Sequence, residues 1–368
     1  MKPNERCWCG SGAKWKKCHK YREQQQPINI FEHAVAMREK FAEGFCLATV
    51  THGSYCGANA ISSHTIQRRG GLAAISEQNH VLTTKFDLED LVKNHGTPVL
   101  KRVSTKKAST FPGFCAIHDA ELFEPIERPG ATISKETASL LAYRAICMEY
   151  FRKSAAVELD KLQRKMDYGT PFPIQAEIQM RCAASAYGTQ LGMRDAANWK
   201  AFYETMMAEK RYEDFRYYEV RFSTDVPMVM CGAWQVETDF EGNWLQKLGT
   251  TSSDLEHITV NLTKIGDSTS AVFGWAGTKN GPAREFVESF KRVPDDRKSS
   301  LIASMAFEHS ENVFMRPSWW DNLTADQKSA LLNRIPNGTA SRMRSANALL
   351  DDGAHTMPSH VESTLEAI

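Results

Sequence analysis

Three cysteines and one histidine lie close together near the start of the chain and restrict how this segment can fold. They are Cys7, Cys9, Cys18 and His19. A segment as short as residues 7–19 buries too little apolar surface to fold alone, so a bound metal or a cross-link has to supply the folding free energy. Sulfur and imidazole ligands at this spacing suit one tetrahedral zinc ion. The sequence therefore predicts a structural zinc site here.

Cysteine usage along the whole chain points to the same chemistry. The chain has 9 cysteines, an odd number, and no secretory signal is visible. Such usage indicates a reducing compartment, where a close Cys/His cluster is typically a metal site rather than a disulfide or a set of reactive thiols. No apolar run reaches the length of a membrane span. We therefore expect a cytoplasmic protein with no membrane attachment.

The N-terminal segment resembles the SEC-C motif, Cys-x-Cys-x8-Cys-His, which is best known from the C-terminal tail of the secretion ATPase SecA. The resemblance rests on the four ligands, the Cys-Gly-Ser-Gly turn and the Lys-Trp-Lys-Lys run. In that family the module binds zinc and docks on the chaperone SecB. The resemblance implies a zinc-binding docking module here, while no P-loop and no other ATPase motif follows it in the sequence.

Charge is balanced over the whole chain but not over its first residues. The chain has 45 basic and 44 acidic residues, which gives no general indication of nucleic-acid binding. Residues 1–22 contain one acidic side chain, Glu5, and these basic ones: Lys2, Arg6, Lys14, Lys16, Lys17, Lys20 and Arg22. Such a patch fits an acidic partner or a phosphate backbone, or is simply a solvated surface.

Periodicity along the rest of the chain predicts an α+β protein. Residues 133–168 carry mostly apolar side chains in alternating steps of four and three, interrupted by Arg152, which predicts a long helix that begins near Ser134. A second helix over 174–210 would form an antiparallel hairpin with the first. Strands are expected at 217–222, 226–236, 257–262 and 270–275, and helices at 283–291, 296–308 and 324–334.

A chain of 368 residues is long enough for two or three domains. The predicted division is a zinc knuckle at 1–23, a mixed α/β region at 28–130, a helical hairpin at 131–212, a C-terminal antiparallel sheet with helices at 213–336, and a mobile tail at 337–368. The tail is assigned because residues 337–368 are polar and poor in large apolar side chains.

Two segments of the mixed region resemble the HNH (ββα-metal) nucleases. A predicted strand at 60–66 carries His64, and a later element at 113–119 carries His118 and Asp119. The resemblance implies that His64 is a general base and that His118 and Asp119 hold a catalytic Mg²⁺ or Mn²⁺. The implied activity is metal-dependent cleavage of nucleic acid, as in a toxin or a phage-defence effector with a SecB-type chaperone partner.

The same histidines allow two other interpretations. Cys56 and Cys115 would join His64 and His118 in a second structural zinc site. Alternatively, both histidines have ordinary structural roles.

Two further functions compete with a nuclease. The turn Thr51-His52-Gly53-Ser54 resembles the one with which ADP-ribosyltransferases hold the nicotinamide ribose, and the resemblance would require a glutamate such as Glu308 or Glu311 from the C-terminal half. The other alternative is a chaperone-linked adaptor with no enzymatic activity.

Overall fold

The computed structural model of the chain describes residues 1–50, 54–85, 93–94, 99–249, 255–277, 280–335 and 345–368. In this part of the chain, helices cover both faces of one long antiparallel sheet, and the N-terminal knuckle contacts the turn of a helical hairpin. This arrangement confirms the predicted α+β class, with its knuckle, its hairpin and its antiparallel sheet.

The five helices predicted between residues 133 and 334 are all present, in the predicted order. The α-helices of the described residues are α1 (Ile30–Ala42), α2 (Ala116–Glu127), α3 (Lys135–Gln163), α4 (Phe172–Ala208), α5 (Pro282–Lys291), α6 (Asp295–His309), α7 (Pro317–Asn322) and α8 (Ala325–Leu332). Shorter helical turns lie at Trp15–Lys17, Arg22–Gln24, Arg68–Leu72, Ala73–Ile75, Arg164–Asp167, Tyr212–Asp214 and Ala346–Leu349. The predicted cap at Ser134 starts α3, because its hydroxyl accepts a hydrogen bond from the Thr137 N–H.

Most strands belong to the central sheet. They are β1 (Thr49–Val50), β2 (Ser54–Tyr55), β3 (Ile61–His64), β4 (His80–Lys85), β5 (Val99–Ser104), β6 (Thr110–Phe114), β7 (Phe215–Phe222), β8 (Met228–Gln235), β9 (His257–Ile265), β10 (Ser268–Ala276), β11 (Val313–Met315) and β12 (Val361–Ala367). The central sheet has the order β12-β7-β10-β9-β8-β11-β4-β5, and β1–β2 and β3–β6 form two small antiparallel pairs. Gly266, at φ 55°, lies in the turn between β9 and β10.

Both faces of the middle strands of the central sheet are buried. Tyr217 and Val272 join α3 in one apolar core, whereas the next residues along the same strands, Tyr218 and Phe273, join α5 and α6 in a second core. Successive side chains of a strand point to opposite faces. Two covered faces explain why β8 has a continuous apolar run instead of an alternating pattern.

The helices α3 and α4 form the predicted antiparallel hairpin. With 29 and 37 residues, they extend about 43 Å and 55 Å. The two helices run in opposite directions, because residues further along α3 bond to residues nearer the start of α4. The hydrogen bonds are Tyr143–Glu204 (2.7 Å), Asp160–Ser185 (3.2 Å) and, directly after the end of α3, Arg164–Gln179 (3.1 Å). None of the helices in the described residues is both long and apolar enough to cross a bilayer.

The central sheet crosses the predicted boundary between the mixed region and the C-terminal region. β11 pairs with β8 on one side and with β4 on the other, where Met315 lies opposite Leu82. Strands from 28–130 and from 213–336 therefore share one sheet. The sequence pattern of each strand does not reveal this pairing, because it joins residues that are far apart along the chain.

The last part of the chain differs from the mobile tail expected at 337–368. β12 pairs antiparallel with β7 at the edge of the sheet, and Leu349 and Met357 are buried. Most side chains of β12 are exposed, so its pairing depends on backbone hydrogen bonds more than on an apolar pattern. Residues 336–344 lie outside the described residues.

Candidate functional site

The structure brings together the four side chains that the sequence selects as zinc ligands. His19 Nδ1 lies 3.2 Å from Cys7 Sγ and 3.1 Å from Cys18 Sγ, and Cys9 Sγ lies 3.6 Å from Cys18 Sγ. All four ligand atoms are within 4.8 Å of one another. Bond lengths of about 2.0 to 2.3 Å around a tetrahedral zinc ion place its ligand atoms roughly 3.5 Å apart. The cluster therefore fits a metal such as zinc.

The backbone of the knuckle already turns the ligands toward each other. The Cys7 N–H donates to the Ala13 carbonyl at 2.8 Å. Between these residues, Gly10 and Gly12 have φ of 76° and 74°, in the left-handed region that favours glycine. The short helix Trp15–Lys17 then returns the chain to the second pair of ligands. Glycine is therefore favoured at both positions, because the turn between the ligand pairs needs positive φ there.

His19 is held from behind by a carboxylate in the hairpin turn. Its Nε2 donates to Asp167 Oδ2 at 2.8 Å, and the Asp167 side chain is fully buried. Gln179 Nε2 donates to the same oxygen at 2.7 Å, and Arg22 Nε lies 3.4 Å from Asp167 Oδ1. A histidine that donates one N–H to a carboxylate keeps the lone pair of its other nitrogen for a metal. Asp167 therefore holds the His19 ring with Nδ1 directed at the cysteine sulfurs.

Other contacts also fasten the knuckle to the hairpin. Arg164 Nη1 donates to the Cys9 carbonyl at 3.2 Å. The Trp8 ring lies edge-on to Phe172 at the start of α4, with 5.3 Å between ring centroids. The knuckle is thus part of the folded body, and its orientation relative to the hairpin is defined.

Two thiols of the cluster differ in how readily they ionise. Burial raises the pKa of Cys7 to about 11. Burial also acts against ionisation of Cys9, but hydrogen bonds to Ser11 and Cys18 outweigh it and lower the pKa of Cys9 to about 7. Because the thiolate is the form that binds a metal, Cys9 is the more readily available of these two sulfur ligands near neutral pH.

The knuckle is the part of the chain that a known sequence motif matches. Residues 4–20 are a SEC-C motif. The match includes all four ligands and covers only this part of the chain. No curated protein and no solved structure matches the chain. The SEC-C assignment therefore describes the knuckle, and the function of the body has to be argued from its own geometry.

A second Cys/His cluster lies outside the SEC-C knuckle. Three of its four members are residues predicted as metal ligands from the sequence, and the fourth, Cys46, is not. Cys56, Cys115 and His118 lie with Cys46, and their ligand atoms are within 4.8 Å of one another. His118 Nδ1 lies 3.4 Å from both Cys46 Sγ and Cys115 Sγ. The group is similar in composition and size to the SEC-C cluster.

His64 does not belong to this second group. It ends β3, and its Nε2 donates to the Thr105 carbonyl at 3.0 Å. Burial lowers the pKa of His64, so the ring is neutral near pH 7. Burial raises the pKa of the Asp119 carboxyl, which the Arg144 guanidinium opposes. His64 and Asp119 are close enough to influence each other's ionisation, whereas Nδ1 of His118 faces the thiols.

Cys46 could have been found from its spacing to the other ligands. Cys115 and His118 are three residues apart at the start of α2, a separation that places both on one face of the first turn. Such a pair needs two more ligands, and Cys46 and Cys56 flank the β1–β2 pair. Cys46 was missed because it begins an apolar run that predicts an ordinary buried strand.

The glutamates of the ADP-ribosyltransferase hypothesis line a cavity of about 400 Å³ between α3, β8 and the end of α6. Glu308 is buried and Glu311 lies at the rim. The Trp234 ring in the same cavity stacks on His309, with 4.9 Å between centroids. His52, the other residue of that hypothesis, lies outside the described residues.

A neighbouring cavity of about 550 Å³ has a basic lining. Arg102, Lys107 and Arg152 line it together with one carboxylate, Glu311. Arg152 Nη1 lies 3.5 Å from Glu311 Oε2, and both residues also line the first cavity. The two cavities therefore meet at this ion pair, and the second carries an excess of positive charge.

Proposed function

We propose that the SEC-C knuckle is a zinc-dependent docking module for an acidic partner protein. Three basic side chains of the motif, Lys14, Lys16 and Lys17, are exposed. Within the part of the chain that the structure describes, none of the three takes part in an ion pair. Three unpaired cations on one small surface favour an acidic partner and raise the rate of association with it.

The observation that carries this proposal is the contact between His19 and Asp167. It fastens the knuckle to the hairpin on the side of the metal ligands, while the basic side chains remain exposed. A surface held in one orientation loses little conformational entropy when a partner binds. A knuckle that served only to stabilise the chain would not need an exposed basic face of this kind.

The partner that the motif favours is an acidic chaperone of the SecB type. We also propose that the protein works in a reducing compartment such as the cytoplasm, because cysteines bind zinc as free thiolates and not as disulfides. The charge of the knuckle would steer the encounter, and the bound zinc would keep its backbone in the docking conformation.

Calorimetry of the full chain with a SecB-type chaperone tests the docking proposal. We expect binding that weakens as salt is raised, and a loss of at least about tenfold in affinity for Lys14→Glu with Lys17→Glu. Lys161→Glu with Lys210→Glu is the matched control, since it reverses two exposed lysines outside the motif. Equal affinity for both variants, or no binding at low salt with zinc present, would overturn the proposal.

A second candidate function is binding of a phosphate-bearing chain in the basic cavity. Arg102, Lys107 and Arg152 give that cavity three cations against the single carboxylate of Glu311. Arginine and lysine in a concave site are the side chains that hold phosphates. Cleavage of nucleic acid by a toxin or phage-defence effector is the activity that such binding would serve, with Mg²⁺ or Mn²⁺ as the catalytic ion.

Fluorescence anisotropy with labelled single-stranded DNA and RNA tests this second function. Arg102→Glu with Lys107→Glu should weaken binding at least about tenfold, whereas Lys161→Glu with Lys210→Glu should not. A second assay incubates the protein with each nucleic acid, with and without divalent metal and with and without NAD. A nuclease would cleave the nucleic acid only with metal, an ADP-ribosyltransferase would consume NAD, and an adaptor would do neither. Unchanged binding in the cavity variant would remove the second function and leave the docking proposal intact.

A further inference from the structure

We infer that Cys46, Cys56, Cys115 and His118 form a second structural zinc site, independent of the SEC-C knuckle. The ligands come from two places in the chain. Cys46 and Cys56 lie on either side of the β1–β2 pair, and Cys115 and His118 lie at the start of α2. The site would join these two segments.

The ligand geometry matches that of the knuckle. The two distances from His118 Nδ1 to Cys46 Sγ and Cys115 Sγ are both 3.4 Å. A sulfur and a nitrogen bound to one tetrahedral zinc ion are separated by roughly 3.5 Å. A disulfide would bring two sulfur atoms to about 2.0 Å, whereas these four ligand atoms all lie within 4.8 Å of one another. The chain's cysteines are all free.

Backbone contacts place the ligands before any metal binds. The Cys46 N–H donates to the Ala58 carbonyl at 3.0 Å, and the Leu47 N–H donates to the Gly113 carbonyl at 2.8 Å. The first bond holds Cys46 near Ala58, two residues after Cys56, and the second holds it near the end of β6, directly before Cys115. The two ligand pairs are therefore brought together by the fold, as a preformed metal site requires.

The donor set identifies the kind of site. Three thiolates and one imidazole are the ligands that zinc accepts and that Mg²⁺ does not. They fill all four positions of a tetrahedral ion, so no position is left for water or a substrate. The bound metal would therefore be structural. If His118 Nδ1 binds this zinc ion, it is not available to bind the catalytic Mg²⁺ or Mn²⁺ that the nuclease resemblance implies.

The site would add a cross-link to a segment with little secondary structure of its own. β1 and β2 are two residues each, so they contribute few of the hydrogen bonds that hold this segment. Cys46 is fully buried, whereas Cys56 is only half-buried. A zinc ion would tie this segment to α2, which packs into the core through Phe123.

Zinc content of the full chain, measured by elemental analysis after dialysis to remove loosely bound metal, tests the inference. We expect about two equivalents in the unmodified protein. Cys46→Ser with Cys115→Ser should retain one equivalent, as should Cys9→Ser with Cys18→Ser in the knuckle. The combined variant should retain none. Cys182→Ser, which changes a buried cysteine outside both clusters, should retain two.

His64→Ala distinguishes this ligand set from the alternative in which His64 is the fourth ligand. We expect it to retain two equivalents, because Cys46 completes the site without it. One equivalent in the unmodified protein would overturn the inference, and so would two equivalents in the Cys46→Ser and Cys115→Ser variant. If that variant fails to fold, the unmodified protein and the single variant Cys56→Ser test the inference instead. We then expect two equivalents in the unmodified protein and one in Cys56→Ser.

Discussion

The Nε2 atom of His19 lies 2.8 Å from Oδ2 of Asp167, a residue 148 positions further along the chain. This contact joins the metal cluster of the knuckle to the turn of the helical hairpin. Asp167 is fully buried and is also held by Gln179, so the carboxylate that contacts His19 is a fixed part of the folded hairpin turn. Metal affinity and hairpin structure are therefore coupled, which leads to the first two predictions.

Asp167→Asn should lower the zinc affinity of the knuckle about 10-fold to 100-fold, because an amide orients His19 and increases its basicity less well than a carboxylate. Competition with a chromophoric chelator measures this change. Asp160→Asn is the control, since Asp160 is also buried in the hairpin but bonds to Ser185 and not to a metal ligand. Equal affinities for the two variants would show that Asp167 has no effect on the metal.

Removal of zinc from the knuckle should loosen the hairpin turn. Chelation releases His19 and Cys9, which contact Asp167 and Arg164. We expect faster amide hydrogen exchange at residues 164–171 and unchanged exchange in β9 and β10 at the centre of the sheet. Readdition of zinc should restore protection. Unchanged exchange at the turn would mean that the hairpin does not depend on the knuckle.

Cleavage of nucleic acid, if the second function holds, should depend on the neutral form of His64. His64→Ala should abolish cleavage that requires Mg²⁺, whereas His360→Ala, a change at an exposed histidine near the end of the chain, should have no effect. Burial lowers the pKa of His64, so the base form and the activity should persist below the usual histidine pKa and disappear only at lower pH. Cleavage that survives His64→Ala would remove this residue from the mechanism. A gel assay between pH 5 and pH 8 measures both effects.

His257 should make the folded protein sensitive to acid. It is fully enclosed between Trp199, whose ring centroid is 4.4 Å away, and Tyr203, whose hydroxyl lies 3.2 Å from Nε2. Burial lowers its pKa to about 3, so between about pH 6.5 and pH 3 the unfolded chain binds a proton that the folded chain excludes. The free energy of unfolding should therefore fall by about 2 kcal/mol from pH 7 to pH 5 on account of this residue.

Urea unfolding at pH 7 and at pH 5 measures this contribution. His257→Gln should lower stability at both pH values but should reduce the difference between them by about 2 kcal/mol. His80→Gln, a change at an exposed histidine, should leave the difference as it is. A pH dependence of the His257→Gln variant equal to that of the unmodified protein would contradict the prediction.

Local patterns predict the features of this protein that are themselves local. The SEC-C ligands lie within one short segment, and the helices α3 and α4 follow from their periodicity and from the cap at Ser134. The features that were missed all depend on distant pairing. Asp167 contacts His19 across the fold, Cys46 lies beside Cys115 and His118 at the start of α2, and β12 is an exposed edge strand. None of these contacts leaves a repeating pattern in the residues that make it.

The place of β4 in the sheet also sets the order in which the molecule is completed. The Thr83 hydroxyl donates to the Val313 carbonyl across a separation of 230 residues. During synthesis, β4 and β5 leave the ribosome long before β11 exists, so the edge of β4 that will receive β11 remains unpaired for that time. An open strand edge invites wrong pairing, and closing so long a loop slows folding. The β4–β5 hairpin would thus keep one unpaired edge until β11 is inserted between β4 and β8.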